Sequence, residues 1–159
     1  YGRNGAFAKA ITRSSDHIYK DYQDAISEYE ATQYLANVIS EEVKLHGTHG
    51  VFISNMIIKH GHDETRRLVS RGELAYKETP IGGCVSLSGC SMDAFINVTS
   101  CIPCKSSVFT TKDIPKIERA IVHIENIASF SEENSQAYIS SKLQITELNR
   151  LKNKVENDD

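Results

Sequence analysis

No stretch of the chain is apolar over the roughly 20 residues that a membrane-spanning helix requires, so no part of its 159 residues is expected to cross a bilayer. The apolar content, 40%, is that of an ordinary soluble globular protein, and the length suits one domain, or a small domain with appendages, around a real core. Positive charge is not in excess. Eighteen Lys and Arg against 21 Asp and Glu leave a net charge of −3, which argues against a free-standing nucleic-acid binder held by bulk charge while leaving room for a local basic face. No run alternates apolar and polar residues over the length of a strand, so helices are expected to dominate. There is no cysteine outside one short stretch, and the chain opens on Tyr1 rather than Met. The opening segment, Tyr1 to Ile11, carries Gly2 and Gly5 and reads as a loop entering a short helix, as if cut from something larger.

The cysteine stretch organises the rest. Cys84, Cys90, Cys101 and Cys104 form a C-x5-C-x10-C-x2-C pattern. A tight Cys-x-x-Cys pair clamps one side of a metal, and a looser second pair folds back to complete a tetrahedral thiolate site. Zinc suits such a site best, as a structural ion, with an iron–sulfur cluster second. The competing reading is two disulfides or four buried thiols.

Ahead of the cysteines, Ser15 or Asp16 is a good helix cap. Ile18, Tyr22, Ile26 and Tyr29, continued by Leu35, Val38, Ile39 and Val43, predict a long amphipathic helix, continuous or broken once, ending near His46-Gly47. Thr48 to His60, with Phe52, Ile53, Met56 and Ile57, is a second helix stopped by Gly61. Asp63 caps a third, which stops at Gly72 and carries Arg66, Arg67 and Arg71. These arginines, with Lys59, are the one basic cluster, to be weighed as a phosphate-contacting surface against a solvated helix face. A helix-turn-helix reading of the two short helices is weaker than plain packing. His46, His49, His60 and His62 lack the spacing of a metal motif and are expected in capping or surface roles. Glu73 to Gly83 is a turn-rich connector and the best boundary.

After the cysteines, Asp113 caps a helix with Pro115 in its first turn and Ile117, Ile121, Ile124 and Ala128 on one face. Ser131 is expected to start a last helix bearing Tyr138, Ile145, Leu148, Leu151 and Val155, and the two stripes are read as packing surfaces for each other or for a partner. The fold class expected is therefore mainly α, with an irregular four-cysteine, metal-stapled knuckle. Its parts are residues 1–46, a helical connector at 47–81, the knuckle at 82–110 and a helical hairpin at 111–159.

One family resemblance follows from these residues. The run Ser14-Ser15-Asp16-His17-Ile18-Tyr19-Lys20-Asp21-Tyr22 resembles the end of the catalytic domain of tyrosine recombinases, the phage-type integrases, where a Ser-Ser pair precedes the nucleophilic tyrosine. The glycine-cysteine stretch, with Cys101-Ile102-Pro103-Cys104 and the helix at Asp113, looks like a cysteine-bearing tail that follows that tyrosine in some large integrases. The resemblance implies that residues 1–46 end a recombinase catalytic domain and that Tyr22 attacks a DNA phosphodiester without any cofactor for the chemistry. The alternatives for Tyr22 are Tyr19 or Tyr29 as nucleophile, or a purely packing role. At the position nine before Tyr22, where the family has His or Trp, stands Arg13, suited to a phosphate contact. The arginines and histidines that activate the tyrosine would lie upstream, so this chain alone is expected to be inactive. Implied too are a cytoplasmic location, DNA as partner, self-association of the full-length protein on DNA and a place in a mobile genetic element. The alternative function is a zinc-stapled helical module that contacts DNA or protein and has no chemistry of its own.

Overall fold

The computed structural model describes residues 2–40, 44–90 and 97–157, the side chains of residues 2–17, Tyr19 and Tyr22 excepted. The architecture is mainly helical, as expected, with five α-helices and a small three-stranded sheet among the described residues. No described helix is long and apolar enough to cross a membrane.

Helix α1 runs from Gly2 to Val38. It is unbroken because residues 24–36, rich in Ala, Glu and Gln, favour helix and the first proline of the chain is Pro80. The opening residues thus belong to the helix rather than to a loop, and the helix stops eight residues short of the expected end at His46. Its last turn and the residue after it enter the body of the molecule: Tyr34, Val38 and Ile39 are buried, together with Leu45, Ile53, Tyr76 and Val108, in one hydrophobic core.

Helix α2, Gly47–His60, is followed after a single residue by α3, His62–Val69. Gly61 makes this turn at φ 80°, a left-handed conformation costly to a residue with a Cβ, and its N–H closes on the carbonyl of Ile57 at 2.7 Å. Gly61 rather than Asp63 occupies the cap of α3, and Asp63 sits in its first turn.

The expected connector is built into a sheet. Strands β1 (Lys77–Glu78), β2 (Gly83–Cys84) and β3 (Ser107–Val108) pair antiparallel in that order, with Lys77 opposite Cys84 and Cys84 opposite Ser107. His46 extends the pairing against Phe109, exchanging N–H···O bonds of 2.8 and 2.9 Å. Because side chains alternate along a strand, Val108 belongs to the first core and Phe109 to a second. Gly82 and Gly83 permit this: a Cβ on Gly83 would lie 2.6 Å from the Tyr76 ring, and one on Gly82 would overlap Phe109.

The second core joins Ile81, Cys101 and Phe109 to the facing sides of α4 (Ile114–Ser129) and α5 (Gln136–Asn157). As expected, Asp113 precedes α4, Pro115 lies in its first turn, and Ile117, Ile121, Ile124 and Ala128 are its buried face. Helix α5 begins later than Ser131. The chain first turns through Asn134 at φ 68°, and Ser135 Oγ accepts the N–H of Tyr138 as the cap. Of its expected stripe, Leu148, Leu151 and Val155 are buried and Ile145 packs against their edge.

Candidate functional site

The four cysteines come from three parts of the chain. Cys84 is carried by β2, Cys101 ends a 3₁₀ turn at Val98–Cys101, Cys104 follows in the next turn, and Cys90 closes an exposed arm, residues 87–90, leading out of β2. All four line one cavity of about 280 Å³. Two consecutive tight turns shape the Cys-x-x-Cys segment: the Cys104 N–H donates to the Cys101 carbonyl at 3.2 Å, and the Ser107 N–H and hydroxyl donate to the Cys104 carbonyl at 3.2 and 2.8 Å. The Val85 N–H donates to the Ser106 carbonyl at 2.9 Å, so the sheet holds Cys84 beside that pair.

Every one of the four is a thiol, not half of a disulfide. Cys101 is buried, and burial, followed by the neighbouring Cys90, Cys104 and Cys84, pushes its thiol up to about 11, while a hydrogen bond with Thr79 acts in the opposite sense. Among the described residues, no three ligating side chains stand close enough together to hold an ion as they are. The metal-bound knuckle is thus an arrangement of thiols around a shared cavity rather than a closed tetrahedron.

The wall of this cavity is tied to the hairpin by Lys116. Its ammonium lies in the first turn of α4 and meets the Glu78 carboxylate, the Asp113 carboxylate at 3.1 Å and the Gly82 carbonyl at 3.1 Å. Burial acts against its charge, but the two carboxylates outweigh burial and hold its pKa above the ordinary lysine value. Asp113 also accepts the Thr110 N–H at 3.0 Å, so one buried carboxylate closes the capping box of the 3₁₀ turn Thr111–Asp113 that leads from the strand into α4.

The other residues singled out in the sequence lie apart. Ser14, Ser15 and Tyr22 fall on α1, and the side chains of Tyr22, Tyr19 and Arg13 lie outside the described residues. The expected apolar stripe around Tyr22 is not covered: Ile18 is 66% and Tyr29 64% exposed. The basic cluster is divided. Arg67 is held by a two-pronged bond to Glu64 (2.7 and 2.9 Å), which lowers the pKa of the carboxyl and raises that of the guanidinium. Arg66 instead lines a polar cleft of about 320 Å³ between the end of α1 and the start of α3, with His62, Asp63 and Ser40, and Arg71 is exposed beyond α3.

Of the histidines, His60 is exposed in the last turn of α2, as expected of a surface residue, whereas His46 and His49 differ from expectation. His46 is 2% exposed and carries strand pairing rather than a side-chain cap, and His49 is half-buried. The Tyr34 hydroxyl and His49 Nε2 share a hydrogen bond of 2.8 Å across α1 and α2. Burial favours the neutral form of both partners, pushing Tyr34 up to about 12 and His49 down. Nothing in the spacing of Tyr34 and His49 announced this pair, because the two helices that carry them meet only in the fold. Set beside known proteins, the chain is matched by no family model, no curated protein and no solved structure.

Proposed function

We propose that this chain is the C-terminal part of a site-specific DNA recombinase that breaks and rejoins DNA through Tyr22. In that chemistry the tyrosine oxygen forms a bond to phosphorus as the bond to the 5′ oxygen breaks. The phenolic proton passes to a base, the departing 5′ oxygen takes a proton, and a 3′-phosphotyrosyl link keeps the bond energy for the reverse attack. The observation that supports the reading is the placement of Ser14, Ser15 and Tyr22 on one unbroken helix whose exposed stripe, Ile18, Ile26 and Tyr29, no described element of this chain covers. A helix completing a separate catalytic domain would leave such a stripe. Arg13 and the exposed Arg66 and Arg71 are the proposed DNA contacts, with Arg67 limited by its pairing to Glu64. Self-association on DNA and the cytoplasmic location belong to the same proposal.

The test is covalent trapping. The full-length protein should become attached to nicked DNA from which the leaving strand is lost, because the reverse attack then has no nucleophile. Tyr22→Phe should abolish the adduct, whereas Tyr19→Phe and Tyr29→Phe should leave it. This chain alone, without upstream arginines to balance charge on the pentavalent phosphate, should form none. An adduct persisting in Tyr22→Phe overturns the assignment.

A second reading, a helical interaction module without chemistry, is favoured by one observation. Near the tip of the hairpin Phe130 is 92% and Leu143 64% exposed, with Ile127 and Ile139 also exposed, an apolar surface of the kind that contacts protein. Failure of every substrate to yield an adduct would leave this reading standing.

A further inference from the structure

We propose that Cys84, Cys90, Cys101 and Cys104 bind one thiophilic divalent cation, zinc before others, in the cavity they share. The proposal does not depend on the chemistry of Tyr22.

The backbone that carries three of the four donors is fixed by hydrogen bonds. Cys101 and Cys104 leave from consecutive turns, and Cys84 lies opposite Ser107, three residues beyond Cys104, in the strand register. The cavity is about 280 Å³, much larger than an ion with Zn–S bonds of about 2.3 Å requires, so binding must draw the sulfurs together. Leu87, Ser88, Gly89 and Cys90 are all exposed, so of the four thiols that of Cys90 is the most open to solvent.

The chemistry of the lining selects the ion. Glu78 also borders the cavity, but Lys116 holds its carboxylate, so the oxygen donor that would favour a hard cation is engaged elsewhere. What remains are four sulfurs lining one cavity. Thiolates gathered around one centre need a cation to balance them, and a bound dication supplies that charge. It favours the thiolates, displaces their protons and ties β2, the 3₁₀ turn and the approach to α4 to one centre.

The test uses the full chain, purified reduced and without chelator, and titrated with cobalt(II) alone as a spectroscopic stand-in for zinc. The expected result is one cobalt per chain, intense tetrahedral d–d bands with sulfur charge-transfer absorption, and displacement of the cobalt by one equivalent of zinc. Cys90→Ser is the decisive variant, since an exposed side chain can be changed without disturbing the core. It should keep helical circular dichroism but lose the tetrahedral spectrum. A second readout is independent of variants: in the metal-free chain Cys90 should alkylate first, and zinc should protect it. Weak octahedral absorption, an unchanged spectrum in Cys90→Ser, or alkylation of Cys90 at the same rate with and without zinc would overturn the proposal. So would recovery of iron with acid-labile sulfide. None of these outcomes bears on whether Tyr22 attacks DNA.

Discussion

Helices α1 and α5 are both long and both carry apolar residues at helical spacing, yet they are held in different ways. Helix α5 buries Leu148, Leu151 and Val155 against α4, whereas α1, among its described side chains, leaves Ile18, Ile26 and Tyr29 exposed and buries none before Tyr34. Periodicity marks a face; it does not supply what covers it. For α5 the cover is α4, which the short turn through Asn134 returns alongside it, and for the stretch of α1 around Tyr22 no described element plays that part.

The largest expected effect breaks the comparison at its well-packed end. Leu148→Ala or Ile117→Ala, each at a fully buried position, should cost about 2–5 kcal/mol by urea denaturation, because the removed methyl groups leave a cavity between α4 and α5. Next comes the seam between the two cores. Gly83→Ala places a methyl group 2.6 Å from Tyr76, and the overpacking should cost about 1–3 kcal/mol by the same measurement. Lys116→Met tests the anchor between strands and hairpin. It leaves Glu78 and the buried Asp113 without their cation, for an expected loss of about 1–2 kcal/mol, and added salt should recover little of it.

A smaller effect separates the α1 end from the hairpin through pH. His49 in the folded chain titrates below its unfolded value because burial disfavours the imidazolium. The folded state therefore binds fewer protons than the unfolded state in that window. The stability contributed by His49 is present in full above about pH 6.5 and is lost as pH falls through the lowered folded value. Thermal unfolding followed from about pH 7 to about pH 5 should fall more steeply for the native chain than for His49→Gln. Equal slopes would remove His49 from the account. The smallest effect is at the uncovered stripe, where Ile18→Ala should change stability by no more than about 0.5 kcal/mol in this chain. A cost comparable with that of Leu148→Ala would mean that a partner covers α1 in solution.

Much of the helical layout was legible. Asp113, Pro115 and the Ile117–Ile121–Ile124–Ala128 stripe gave α4 its start and its buried face, and Gly61 gave α2 its stop, because caps and 3.6-residue periodicity are local properties. Two-residue strands have no period to read, so β1, β2 and β3 were invisible, and with them the pairing that brings Ser107 opposite Cys84. The cysteines were legible as a cluster but not as a geometry. That Cys101 enters a hydrophobic core while Cys90 stays exposed depends on Ile81, Phe109 and α4, none of which is adjacent to either in sequence.

The sequence by itself determined where helices form and where they are interrupted, and it placed all four thiols within 21 residues. These are consequences of backbone propensity, capping and spacing along one segment. Only the tertiary structure decided that the last turns of α1 pack into a core, that Lys116 joins Glu78 to Asp113, that Tyr34 hydrogen-bonds His49, and that the four thiols share one cavity. Each of these is a meeting of distant segments. Such meetings follow from burying two apolar faces on either side of a strand in which Val108 and Phe109 point opposite ways.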